Sequence, residues 1–436
     1  MIRRAQRAPT AYPVYLMIEG VFGFAFLTFA TLSTLYRIET VGLNPFQLVL
    51  VGTALELAAF SFEVPTGILA DLYSRRLSVI IGFFLFGIGF MFEGLLPYFV
   101  TVMIAQVIWG AGSTFISGAL EAWVADELGE EGIGRVYLRG SQFHQIGRML
   151  GIPLAVALGS ISLAVPLVAG GVILVVLGVL LVFVMPETGY TPAPRGERTT
   201  FGSMTDTFRE GVGTIRGRPV LITIVVIAVL WGAASEGYDR LSQNHLVDNF
   251  SFPSLPAGPL DDVVVWFGLI SAVGMAISIA AAELVRRKID TDSHQAVART
   301  LLFATTMVIV SLVGFALAGS FGLALGFMWL IGIFRDLHSP LTVAWLNQNI
   351  ASRVRATVIS MSSQADAFGQ MFLGPVLGLI ATLVSLRVNF MVSAAIIMPA
   401  LYLYVRSLRS DTRLVPAVGE ALVEEREEQA AERVGE

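Results

Sequence analysis

The chain has 436 residues, 55% of them hydrophobic and only 14% charged, with a mean hydropathy of +0.75. Soluble domains carry about a quarter charged residues, so a water-soluble fold is excluded and a polytopic helical membrane protein is expected. The net charge of −5 lies in loops and tail and signals no nucleic-acid partner, while the absence of cysteine and the scatter of four histidines exclude a disulfide framework and leave no metal-ligand spacing.

About 20 apolar residues span a bilayer, and twelve such stretches fit the chain. They are read at 12–36, 45–70, 77–96, 99–125, 138–160, 163–185, 219–241, 262–285, 297–318, 321–346, 356–384 and 388–408. The alternating pattern of a barrel is missing, so the fold class is all-α. Met1 to Arg7 is basic and leads into the first span with no small-residue cleavage site, so it reads as the start of a retained helix. No Gly-x-x-x-x-Gly-Lys-Ser/Thr run occurs, so ATP binding by a phosphate loop is excluded and no cofactor is expected.

The sharpest local pattern lies between the second and third spans. An apolar run ends Glu63-Val-Pro-Thr-Gly67-Ile-Leu69-Ala70-Asp71, and Arg75-Arg76 follow before the next apolar run. A tight hairpin is expected, with Gly67 giving close helix approach and the arginines held on the cytoplasmic side. This stretch resembles the Gly-x-Leu-Ala-Asp-x-x-Gly-Arg-(Arg/Lys) loop of the major facilitator superfamily, with Ser74 in place of its glycine and Leu72 in place of its basic residue. The resemblance implies two six-helix pseudo-repeat halves around a central cavity lined by spans 1, 4, 7 and 10. It implies a cytoplasmic gate built from Glu63, Gly67, Asp71, Arg75, Arg76, Glu121 and Asp126, with Asp71 facing the start of span 11. The halves are read at 1–190 and 219–410, with an arginine- and proline-bearing linker at 191–218 and an acidic tail at 411–436 that reads as a solvated, partly helical face.

Internal repetition supports the two halves. Ala122, Trp123, Val136, Ser141, Gln142, Gly147, Met149 and Pro153 recur as Ala344, Trp345, Val358, Ser363, Gln364, Gly369, Met371 and Pro375, an ungapped shift of 344 − 122 = 222. Orientation follows the basic residues: of 28 Lys+Arg, Arg37, Arg240 and Arg387 fall at outer ends and Arg148 and Arg335 inside spans, which leaves 28 − 5 = 23 on one side. That side is expected to be the cytoplasm of a cell inner (plasma) membrane protein, with both termini there.

Ionisable groups within spans are functional candidates by default. Glu19 lies about 10 Å from the inner end of span 1; it is a proton carrier or a structural carboxyl paired to a neighbouring helix. Glu56 in span 2 and Arg148 in span 5 share a depth and read as a buried pair, with a substrate or proton role as the alternative. Glu236 in span 7 is a cavity and proton candidate, and Asp239-Arg240 after it are expected at the outer surface as an outer gate. In span 10, Arg335 and Asp336 should meet different neighbours, Asp366 being one partner for Arg335, and His338 is a polar contact or a proton carrier. Gln106 stands where related exporters carry arginine in an Arg-x-x-x-Gly pattern that ends here at Gly110. Trp109, Trp231 and Trp329 form an aromatic cavity lining or simply pack. Gly147-x-x-x-Gly151-x-Pro153 resembles a weakened antiporter motif, though ordinary close packing explains it equally.

The first reading is a secondary transporter exporting a small cationic or amphipathic compound against protons, as a monomer. The second is an importer or uniporter of an anionic or nutrient metabolite, clamped by Arg148 and Arg335. The third is a non-transporting receptor or assembly protein. An enzyme is disfavoured, because no nucleophile–base constellation stands out.

Overall fold

Arginine-bearing span 5 and the glycine at position 118 account for the main differences between the expected spans and the helices. The computed structural model describes residues 8–190, 213, 219–256, 260–288, 293–349 and 355–410. The linker and acidic tail therefore lie almost entirely outside the described residues. Among those described, the chain is helical without strands. The helices are α1 (Ala8–Glu39), α2 (Pro45–Leu72), α3 (Arg75–Leu95), α4 (Phe99–Ile116), α5 (Ala119–Leu128), α6 (Ile133–Gly159), α7 (Ala164–Val184), α8 (Pro219–Asn249), α9 (Asp262–Lys288), α10 (His294–Leu317), α11 (Phe321–Asn349), α12 (Arg355–Leu383) and α13 (Leu386–Ser410). The fourth expected span is broken into α4 and α5 because Gly118 adopts φ 71°, a backbone conformation that side chains other than hydrogen resist. Eleven segments are long and apolar enough to cross a membrane. The twelfth, α6, is long enough but carries Arg135, Arg139, His144 and Arg148.

Local chemistry sets the helix ends. Asn44 accepts from Gln47 N at 2.9 Å while Gln47 Oε1 accepts from Asn44 N at 3.1 Å, and Pro45 occupies the first helical position of α2. Ser74, the departure from the superfamily glycine, caps α3 by accepting from Leu77 N at 2.9 Å. Helix α8 runs eight residues beyond the expected end of span 7. Asp239 and Arg240 consequently lie within the span and not at its outer surface.

The repeat seen in the sequence is a repeat in packing. The α1–α6 crossing brings Gly147 against the Gly20 carbonyl and Gly23 against the His144 carbonyl. The α8–α12 crossing brings Gly369 against the Val229 carbonyl and Gly232 against the Asp366 carbonyl. The register is the same in both, since 369 − 147 = 366 − 144 = 222 and 229 − 20 = 232 − 23 = 209. At these points one backbone lies on another, so a methyl group has no space.

Helices from the two sequence halves meet mainly at the end remote from the N-terminus. There α2 lies on α12, with Phe46 N donating to Thr382 Oγ1 at 2.9 Å and Gly378 against Val49. On the other flank α6 lies on α9: Gly268 meets Val156, Gly159 meets Val264, and Leu32, Leu35, Val264 and Phe267 form a buried apolar plug. At the opposite end α2 and α12 splay apart around a cavity. The molecule is open toward the side on which α1 begins.

Replacing Gly147 or Gly369 by Val should lower the detergent melting temperature by an overpacking penalty of about 1–3 kcal/mol. Gly67→Ala should not, because a Cβ there meets nothing within 4 Å. Equal melting temperatures across the three variants would contradict the crossing assignment.

Candidate functional site

Charged side chains from α2, α6, α8, α11 and α12 gather around the inner end of the plug. On α11, Arg335 grips Asp239 of α8 through both guanidinium nitrogens, Nη2–Oδ2 being 2.8 Å, and lies over the Tyr238 ring at 5.5 Å from its centroid. This corrects the expected Arg335–Asp366 pairing. Asp366 accepts instead from Gln370 Nε2 at 2.8 Å, one turn along its own helix, and the planar fork of Arg335 finds a better-aligned carboxylate on α8. Asp239, Arg335, Asp366, His338 and Trp231 all line a chamber of about 360 Å³. The His338 ring lies 4.0 Å from that of Trp231, and its Nε2 is 2.9 Å from Tyr404 Oη. His338 thus has a polar partner in Tyr404, and Asp336 is exposed and not among the residues lining the chamber.

One turn from Asp239 on α8, Glu236 accepts from Arg240 Nε at 2.9 Å, and only 1% of the Glu236 side chain is exposed. The pair is seated on Gly52 of α2, where a Cβ would collide with the carboxylate and the guanidinium. Asp239 and Arg240, expected as an outer gate, therefore belong to this interior array. Gly52 was not singled out by sequence, because a lone glycine in an apolar span carries no distinguishing pattern.

Glu56 follows Gly52 by one turn on the same face of α2. It lines a second cavity, of about 710 Å³, between α2, α4 and α12, and lies in the field of Glu236, Arg240 and Asp366. No described residue forms an ion pair or hydrogen bond with it. The expected Glu56–Arg148 pair is not formed, because α2 packs on α4 and α12 whereas α6 packs on α1 and α9, at the other flank. The Arg148 Nε is buried without a partner, and the acidic group whose field it feels is Asp336.

In the first half, Glu19 lies 3.1 Å from His144 Nδ1 on α6, the neighbouring-helix partner that sequence left unnamed. Gln106 is not in the cavity: it is fully buried and donates to Glu93 Oε2 at 2.8 Å, and Glu93 is itself gripped by Arg37 at 2.7 and 3.2 Å. Arg37 is accordingly buried, in the last turn of α1 where the sequence placed it. Trp109 packs on Phe86 and Phe90, and Trp329 donates to the Ile270 carbonyl at 3.3 Å. Trp231 is the member of the expected aromatic trio that borders the charged chamber.

The hairpin loop forms its own cluster. Arg75 donates to Asp126 Oδ2 at 2.6 Å and to the Ala122 carbonyl at 2.9 Å, and lies 3.9 Å from Asp71. Arg76 donates to the Val182 carbonyl, Ser74 donates to Glu187 at 2.7 Å, and Tyr190 donates to the Asp71 carbonyl at 2.7 Å. Glu187 and Tyr190 were not foreseen. Glu63 and Glu121 are not joined to the cluster: Glu63 lines the 710 Å³ cavity, and the Glu121 carbonyl is engaged by Tyr137 Oη at 3.1 Å. Gly67 approaches no described helix. The expected position of Asp71 against the start of span 11 falls on residues 351–354, outside those described. Among the described residues every contact of the cluster is within the first half, as the open state requires.

Comparison with known proteins agrees with this architecture. A Major Facilitator Superfamily model matches residues 16–321. An uncharacterized MFS-type transporter of Bacillus subtilis (strain 168), YxaM, is 23% identical over 393 residues, covering 90% of this chain and 94% of that one. The solved nucleoside transporter NupG superposes with a TM-score of 0.71 at 14% identity, covering 91% of this chain and 98% of that one. A bacterial homolog of the human lysosomal transporter Spinster, inward-facing and unoccupied, gives 0.69 at 14% identity over 93% and 97%.

Asp239→Asn with Arg335→Gln should show a coupling energy on the order of 1 kcal/mol in a thermal-melt cycle, whereas Glu56→Gln with Arg148→Gln should be additive. Coupling in the second cycle and none in the first would overturn the pairing described above.

Proposed function

Because this chain belongs to the major facilitator superfamily and is a secondary transporter, not an enzyme, we propose that it exports a small cationic or amphipathic compound in exchange for protons. The observation that carries this reading is the sign of the charge at the ceiling of the cavities. Glu56, Glu236, Asp239 and Asp366 stand with three cations, Arg148, Arg240 and Arg335, of which Arg240 and Arg335 are already engaged by carboxylates. The surplus is acidic, and it favours a positive ligand or protons. Anion import by an Arg148–Arg335 clamp is less well supported, because Arg335 is held bidentately by Asp239 and is not free to bind substrate.

Glu56 is the coupling residue in this account, ahead of Glu236 and Glu19, which have partners. Its carboxylate is open to the cavity, has no ion pair among the described residues and sits one turn from the seat of the Glu236–Arg240 pair. A proton and a substrate cation compete for it, so each is carried in the direction that the other is not. When the halves close over the cavity, an uncompensated Glu56 charge would be desolvated, and closure is expected only when it is neutralised by one or the other. Asp71, Arg75, Arg76 and Asp126 hold the loop that meets the other half on closure, and Gly67 presents the bare backbone that it would meet. The distribution of basic residues supports a plasma-membrane protein with both termini cytoplasmic. The mirrored crossings support two rocking halves at 1–190 and 219–410, joined by the 191–218 linker and followed by the tail at 411–436. We take the protein to act as a monomer.

In proteoliposomes loaded with a pH-sensitive dye, adding cationic amphiphiles should move protons in the wild type, and Glu56→Gln should reduce that movement at least tenfold. Undiminished proton movement in the variant would remove Glu56 from the path. Flux of a labelled anion without protons would replace export of a cation by the importer reading.

A further inference from the structure

A third cavity, of about 300 Å³, lies at the end remote from the N-terminus, apart from the two at the open end. Its wall is shared between the halves. Pro45, the first residue of α2, contributes from one half, and the end of α8 and the α12–α13 turn contribute from the other. The hydrogen bond from Phe46 N to Thr382 Oγ1, 2.9 Å long, crosses the junction beside it, since Pro45 and Thr382 both line the cavity. Parting the halves at this end would carry Pro45 away from the rest of the wall. The cavity is therefore whole only while this end is closed.

Most polar groups around it are already committed. Thr382 Oγ1 donates to the Gly378 carbonyl at 3.0 Å as well as accepting from Phe46 N. Ser385 Oγ caps α13 by accepting from Val388 N at 3.2 Å. Asn249 turns its amide nitrogen back to the His245 carbonyl at 3.3 Å. Two charged groups keep free capacity. Asp248 accepts from Asn244 Nδ2 at 2.7 Å through Oδ2, and its Oδ1 has no partner among the described residues. Arg387 is exposed, and no described residue forms an ion pair or hydrogen bond with it. The carboxylate and the guanidinium line one cavity without closing on each other, which gives it a negative and a positive wall. Pro45 and the buried Ala381 and Leu386 add apolar surface. The volume lies at the small end of ligand sites, about 300–1,000 Å³, and suits a molecule the size of an amino acid.

We propose that this cavity is a regulatory site for a small zwitterion of the α-amino acid type, bound only while the end remote from the N-terminus is closed. The ammonium meets Asp248 Oδ1, the carboxylate takes the planar fork of Arg387, and an aliphatic side chain rests on Ala381 and Leu386. A cation alone leaves Arg387 unpaired, and an anion alone is repelled by Asp248. Because the wall is complete in one state, such a ligand shifts the population toward that state, open at the opposite end. The inference goes beyond the export reading and holds whichever compound is carried.

Equilibrium binding of radiolabelled leucine to the full-length protein in lipid nanodiscs tests it, with leucinamide as a cation-only and N-acetyl-leucine as an anion-only competitor. Leucine should saturate one site per chain, and both competitors should be at least tenfold weaker than unlabelled leucine. Asp248→Asn and Arg387→Gln, both at exposed positions, should keep the wild-type melting temperature and each weaken binding at least tenfold. With spin labels on Ser61→Cys and Ser360→Cys at the open end, leucine should enlarge the long-distance population. Equal competition by leucinamide would make the cavity a cation site, and equal competition by N-acetyl-leucine an anion site. Binding that survives both variants would lie elsewhere, and binding that leaves the label distance unchanged would not be tied to one state. Each of these, or no saturable binding of leucine, overturns the proposal, and none of them touches cation-driven proton movement, on which the export reading stands or falls.

Discussion

The Glu236–Arg240 ion pair pressed onto the bare backbone of Gly52 ties the two halves of this transporter together. A buried pair of this kind is costly to desolvate and still more costly to break. It is tolerable here because both charges remain matched, and because Gly52 lets α2 approach without a side chain between. The same close approach brings Glu56, one turn on, into the field of the pair. The groups proposed to titrate and the groups that hold the halves together are thus one electrostatic unit.

The rest of the architecture follows from keeping that unit between water and lipid. Remote from the N-terminus it is roofed by small residues and apolar side chains: Gly378 on Val49, Gly268 on Val156, and the Leu32, Leu35, Val264 and Phe267 plug. Toward the other end it opens into the two cavities. The mirrored crossings at Gly147 and Gly369 lay backbone on backbone once in each half, where a side chain would have no room.

Much of this was legible in the sequence, and what was not has physical reasons. The spans followed from hydropathy, the repeat from an ungapped shift, and the hairpin from Asp71 and Arg75-Arg76. Intramembrane charges were visible as functional candidates, but their partners were not. Choosing between Asp239 and Asp366 for Arg335 depends on the rotation of three helices, which linear spacing does not contain. Equal depth made Glu56 and Arg148 look like a pair, although depth says nothing about which flank a helix occupies. Gln106 and Trp109 fell on a cavity helix but on its inner, packed face. His144, Glu187 and Tyr190 found their roles only through contacts made far along the chain, and Gly52 was one glycine among 43.

The central claim is that neutralising Glu56 permits the α2–α12 seam to close. Spin labels on Ser61→Cys and Ser360→Cys, both exposed on the splayed part of the seam, would report that distance in lipid nanodiscs by double electron–electron resonance. The account predicts a shorter population as the pH falls from alkaline to acidic, and the same short population at every pH in Glu56→Gln. A wild-type distance indifferent to pH, or a pH response that survives Glu56→Gln, would contradict it.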